Sequence, residues 1–94
     1  MAEITQQDNR WKISGEVVVD DANTLLVASQ SLSMADSTLI DFGAASDLDT
    51  AAISLILEWK RRAIAENKQL RLVNVPENLK SLAHLYGVAE IVLS

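Results

Sequence analysis

Between Leu39 and Arg62 the spacing of apolar residues changes from that of a strand to that of a helix, and the rest of the chain is arranged around this segment. Leu39 and Ile40 form a short apolar run before Asp41, and Gly43 is expected to end the strand and turn the chain over the sheet edge. Ser46, Asp47, Asp49 and Thr50 follow, residue types whose side-chain oxygens accept hydrogen bonds from the free N–H groups of a first helical turn, and Ser46 to Asp49 approximates a capping box. A helix is therefore expected to begin at Asp49 or Thr50. From Ala51 to Ala65 there is neither Pro nor Gly, and Ile53, Ile56, Leu57, Ala63 and Ile64 recur on one helical face, with Lys60 in its middle sending its ammonium out to water. At about 100° per residue, Leu55 and Trp59 fall on a second apolar stripe beside Arg62. Two readings of that stripe stand: it fills the edge of the core under a neighbouring loop, or it is a docking surface, since interface centres are enriched in Trp and Arg.

The same reading places two strands over 4–11 and 12–19, turning at Asp8-Asn9, with Gly15 marking a bulge or a close backbone approach. Asp20, Asp21 and Asn23 are expected to cap a first helix that carries Ala22, Leu25, Leu26, Ser29 and Leu32 and ends near Ser33. Thr38 to Phe42 is the next strand. After the central helix, Glu66-Asn67-Lys68-Gln69 is a polar stop, Leu70–Val73 with Val75 a strand, and Pro76 suits the first turn of a helix lined by Leu79, Leu82, Ala83 and Tyr86. Gly87 suits the left-handed residue after that helix, and Ile91, Val92 and Leu93 form either a last edge strand or an apolar tail. Helices joining strands imply right-handed parallel crossovers, and the first hairpin adds an antiparallel member. The expected class is α/β: a mixed, mostly parallel sheet of four to five strands with three helices, residues 1–94 forming one domain.

Composition narrows the function classes. Hydrophobic residues make up 49% and charged residues 22%, so the chain folds on a core. A net charge of −5 with no basic run opposes binding to a phosphate backbone, and no nucleic-acid partner is expected. The absence of cysteine excludes disulfides, thiolate catalysis and cysteine-based zinc sites. The first fifteen residues lack an apolar run after positive charge and no stretch approaches eighteen apolar residues, so the expectation is a cytoplasmic chain with no direct membrane insertion.

The segment Leu48-Asp49-Thr50-Ala51-Ala52-Ile53 behind the strand that carries Asp41 resembles the centre of the STAS family, in which Asp-Ser/Thr-Ser/Gly-Gly-Leu opens a helix. Ala51 and Ala52 depart from that pattern but remain small, which still permits close approach of a partner. The element order matches over nearly the whole chain. The ending Leu82-Ala83-His84-Leu85-Tyr86-Gly87 resembles the Leu-Ala-x-Leu-Tyr ending of the branch that forms the small subunit of a phospholipid-transporting ABC complex in Gram-negative bacteria. What the resemblance implies is a non-enzymatic subunit that binds the ATPase of such a complex and sits at the inner membrane only through it. The partner-binding or regulatory residues would be Asp49, Thr50, Ala51, Leu55, Trp59 and Arg62. The alternative it implies is an anti-sigma-factor antagonist, whose Ser or Thr matching Thr50 is phosphorylated by a partner kinase.

Little other chemistry is available. Gly15, Gly43 and Gly87 are the only glycines, too few for a phosphate loop, and His84 is the only imidazole, read as a half-buried helix residue and not as a catalyst. Asp41, Asp47 and Asp49 are read as helix caps that balance a dipole; a phospho-acceptor Asp41 with Asp20 and Asp21 holding magnesium is the weaker reading. No catalytic residue, no metal ligand and no cofactor is expected. Thr50 has two readings: its hydroxyl caps a backbone N–H, or it is a switch whose phosphate would lie at a helix N-terminus.

Overall fold

A computed structural model of the protein describes residues 2–93. Strand β1 (Glu3–Gln7) and strand β2 (Arg10–Val17) form the expected hairpin, with Gln7 paired to Arg10 and Asp8 at positive φ in the two-residue turn. The first strand is shorter than the spacing suggested and the second lies two residues earlier, because the turn takes Asp8 and Asn9 from the middle of the first stretch. The chain crosses through helix α1 (Val19–Gln30) into β3 (Ser37–Leu48), then through α2 (Thr50–Ala65) into β4 (Gln69–Val73). Two helices follow, α3 (Glu77–Leu85) and the short α4 (Ala89–Val92). Among the described residues the sheet has four strands in the order β1-β2-β3-β4, with β2, β3 and β4 parallel, and it is the expected mixed α/β fold.

The registers explain the layering. Ile4 pairs with Ile13, Trp11 with Ile40 and Ile40 with Leu72, so side chains of like parity fall on one face of the sheet. That face is apolar: Trp11, Ile13, Thr38, Ile40, Phe42 and Leu70 are all buried beneath the helices. The opposite parity, with Arg10, Lys12 and Arg71, is exposed. The protein is thus a two-layer sandwich, and α2 packs in the middle of the helical layer against α1, α3, α4 and β4.

Several local expectations change. Gly43 does not end β3; the strand runs on to Leu48, pairing Ala44 with Ser14 and Leu48 with Val17 across register shifts at Lys12/Ser14 and Gly15/Glu16. Gly15 lies at one of those irregularities with φ 83°, as a bulge requires. Gly43 is small for another reason: a Cβ there would lie 3.0 Å from Asp41 Oδ1. Helix α1 begins at Val19, ahead of the residues expected to cap it, because its N-terminus is capped from a distance and not by Asp20, Asp21 or Asn23. Pro76 is the N-cap of α3, and Ile91–Leu93 lie in and just after a helical turn instead of an edge strand. At the end of α3 the Val88 N–H donates to Ala83 O and the Gly87 N–H to His84 O, with Gly87 at φ 70°, a Schellman closure that only glycine fits without strain.

Candidate functional site

The parallel strands β2 and β3 end side by side, and the Asp49 N–H, donating to Val17 O at 3.2 Å, holds the next residue over both ends. From there the Asp49 carboxylate serves two helices. Oδ1 accepts from the Ala51 N–H of α2 at 2.8 Å, and Oδ2 accepts from the Val19 N–H of α1 at 3.2 Å. One negative charge therefore satisfies orphan donors of two helix N-termini and lies at the positive end of both dipoles. This explains why α1 needs no cap of its own. The Thr50 hydroxyl is not the cap of α2, and Thr50 stands exposed at the first position of the helix, while Ala51 and Ala52 turn into the core.

Two shallow apolar grooves flank this exposed start. One, of about 310 Å³, is lined by Thr50, Ile53, Ser54, Leu57, Tyr86 and Val88, between α2 and the end of α3. The other, of about 240 Å³, lies between α1 and α2 and is lined by Ala22, Leu26, Ser54, Leu55 and Glu58. Ser54 separates them. Ser54, Leu57 and Tyr86 were not expected at a site. Tyr86, which the spacing places among the residues lining α3, is 58% exposed, because the helix closes at Leu85 and the tyrosine swings out beyond the last packed turn. A lone serine between apolar neighbours on the central helix was the available signal.

The second stripe resolves in favour of the core. Leu55 is 3% and Trp59 1% exposed, since α1 covers the face of α2 that carries them. The Trp59 indole N–H donates to Ser29 Oγ at 2.9 Å, and its ring meets Trp11 edge to face, with centroids 6.0 Å apart at 87°. Arg62 closes the other end of α1: it donates to Ser29 O at 3.0 Å and to Leu32 O at 2.7 Å, and its guanidinium lies 5.6 Å from the Trp11 ring centroid. Of the residues expected to meet a partner, the structure brings Asp49, Thr50 and Ala51 together at the helix start and places Leu55, Trp59 and Arg62 inside or under the helical layer. Trp59 is nine residues from Thr50, about 14 Å along the helix. Ile64, assigned to the core, is 77% exposed, and Lys60 donates to Leu70 O at 3.1 Å instead of reaching for water.

The other acidic residues are not caps. Asp41 lies inside β3 and receives Arg10 at 2.7 Å, Asn74 at 3.0 Å and the Gly43 N–H at 2.8 Å. Asp47 Oδ1 accepts from the Leu48 N–H. Burial pushes the Asp41 carboxyl up, but the bonds from Asn74, Gly43 and Arg10 outweigh it and hold its pKa below the usual 3.8. A carboxyl with a depressed folded-state pKa contributes stability above its unfolded value, and that contribution drains away as pH falls below 3.8 through the folded value. Urea midpoints measured in steps from about pH 6 to about pH 2 are expected to fall less steeply at the acid end for Asp41→Asn than for the wild type; parallel curves would refute the assignment. His84 is exposed on α3, and among the described residues no three His, Cys, Asp or Glu side chains converge as metal ligands.

Comparison with known proteins agrees with this architecture. A family model described as "Mlab, STAS domain" matches residues 1–93. No curated protein sequence matches the chain. Among solved structures, the unphosphorylated form of the anti-sigma factor antagonist SpoIIAA superposes with a TM-score of 0.75 at 13% identity, over 100% of this chain and 86% of SpoIIAA. Mglu superposes at 0.57 and 19% identity, over 80% of this chain but only 19% of Mglu, so this chain corresponds to a small part of that protein. At these identities the superpositions show a shared fold. No helix among the described residues is long and apolar enough to cross a membrane.

Proposed function

This chain belongs to the MlaB-type STAS domain family, and on that footing we propose that it is a non-enzymatic subunit that binds, and regulates or stabilises, the ATPase of an ABC-type phospholipid transport complex maintaining outer-membrane lipid asymmetry. It works in the cytoplasm and reaches the inner membrane through that complex. The observation that carries the reading, beside the family, is the exposed start of α2. Asp49 fixes the first turn, Thr50 projects from it, Ala51 packs beneath it, and Ser54, Leu57 and Tyr86 extend the surface. Leu55, Trp59 and Arg62 serve the same surface from beneath by holding α1 against α2.

Co-purification of the tagged protein with the nucleotide-binding subunit tests the proposal. Thr50→Glu places a charge against the apolar groove without touching the core, and capture is expected to fall at least about tenfold with an unchanged melting temperature. Capture at the wild-type level would remove the surface from the proposal. The exposed Thr50 at a helix N-terminus also favours a second reading, an anti-sigma-factor antagonist switched by a serine/threonine kinase, since a phosphate there would meet the positive end of the helix dipole, although beside the Asp49 carboxylate. Stable phosphate on Thr50 after incubation with kinase and ATP, located by mass spectrometry, together with failure to capture the ATPase, would select it.

A further inference from the structure

The far end of α2 carries a different surface. Strand β4 is the parallel edge of the sheet, with no strand beyond it among the described residues. A groove of about 450 Å³ runs over this edge, lined by Lys60, Ala63, Ile64, Lys68, Gln69, Leu70 and Arg71. Ile64 on α2 to Thr50 is about 21 Å along the helix axis, so the groove is separate from the Thr50 surface. Three of the chain's eight Lys and Arg residues line it, and none of its 13 Asp and Glu residues does. In a chain of net charge −5 this is a local reversal of sign. The walls are apolar, and Ile64 stands 77% exposed beside them.

The backbone adds direction. Gln69 donates to Asp36 O at 2.8 Å and so faces β3; the alternate residues Leu70 and Leu72 turn their N–H and C=O groups toward the open edge. Lys60 donates to the Leu70 carbonyl, which holds its ammonium against this edge, and burial keeps its pKa below the usual lysine value. Lys68 already receives a carboxylate: Asp36, 97% exposed, sits 2.7 Å from its ammonium, with Glu66 also in its field. An exposed pair of this kind is weak and easily exchanged. Lysines also guard edge strands against aggregation, but that role needs neither the apolar wall nor Arg71 on the far side of the edge.

We propose that this groove over the β4 edge is a second docking site, taking a short acidic segment of a partner protein in extended form, its carboxylates on Lys68 and Arg71 and an apolar side chain against Ala63, Ile64 and Leu70. A membrane is the poorer occupant: the acidic remainder of the chain is repelled by anionic lipid, and only a peptide backbone can pair with the edge of β4. The test is an array of six-residue peptides in which Glu alternates with Leu, Val, Ile or Phe, compared with the same array carrying Lys for Glu. Peptides of the acidic array are expected to bind and to shift the backbone amides of residues 60–72. The affinity of the best one should fall at least tenfold in Arg71→Glu and in Lys68→Glu, and stay unchanged in Lys80→Glu, which makes the same charge change on α3 outside the groove. Equal retention on both arrays, undiminished binding to Arg71→Glu, shifts centred on Thr50 and Tyr86, or competition by phosphatidylglycerol vesicles would each overturn the proposal.

Discussion

Replacing Trp59 with alanine is expected to cost about 3–5 kcal/mol of unfolding free energy, a large share of the roughly 5–15 kcal/mol available to a domain of this size. The indole is 1% exposed, so its removal leaves a cavity between α1 and α2 as well as losing its transfer free energy. Two further contacts go with it: the 2.9 Å bond to Ser29 Oγ and the edge-to-face contact with Trp11. Trp59→Phe retains most of the ring and the contact with Trp11 but not the hydrogen bond, and about 1–2 kcal/mol is expected. Urea unfolding followed by far-UV circular dichroism measures both. If alanine costs less than about 1 kcal/mol yet abolishes partner capture, Trp59 is a docking residue and the buried cluster is wrongly understood.

Trp59 also shows where the sequence stops being informative. The Asp49 cap, the Asp8-Asn9 turn and the Gly87 closure were legible because each is a local bargain between one side chain and a few backbone groups. Whether Leu55 and Trp59 face water depends on which element packs over them. A helix that touches only a sheet buries one stripe, while α2, set between α1 and the α3–α4 pair, buries more of its circumference. The mirror error is Ile64, whose spacing continues the core face but which lies in the last turn of α2, beyond the reach of the covering helices, at 77% exposure. Gly43 misled for a similar reason. Its small size answers the close approach of Asp41 and Asn74, a contact set by tertiary structure, and it does not mark the end of the strand.

Helix α1 is the clearest case of a boundary set at a distance. Its own first turn carries Asp20 and Asp21, good capping residues by type, yet the bond to its first N–H comes from Asp49, thirty residues away in sequence. Arg62, thirty residues from Leu32, closes its C-terminus by the same logic. Helix α1 is therefore tied at both ends by residues of α2 and of the turn before it, and its placement depends on the central helix.

That dependence sets the expectation for Asp49. Asp49→Ala removes caps from two helices at once and is expected to cost about 2–3 kcal/mol, above the ~1 kcal/mol typical of a single cap. Asp49→Asn separates the two bonds: its carbonyl oxygen can still accept from Ala51, but its amide meets the Val19 N–H donor to donor, so about 1 kcal/mol is expected. Val19→Pro provides the control. Val18 is extended at φ −118°, ψ 172°, and Val19 is the first residue of α1, where proline is well tolerated, so the substitution deletes only the donor. On the Val19→Pro background Asp49→Asn should then cost almost nothing, giving a coupling of about 1 kcal/mol in the double-mutant cycle. Additive effects would mean that Asp49 caps α2 alone. The same variants separate support from contact: Asp49→Ala should lower stability and partner capture together by loosening the turn that presents Thr50, whereas Thr50→Glu should lower capture alone. Capture that survives Asp49→Ala at full strength would show that the partner does not read the start of α2.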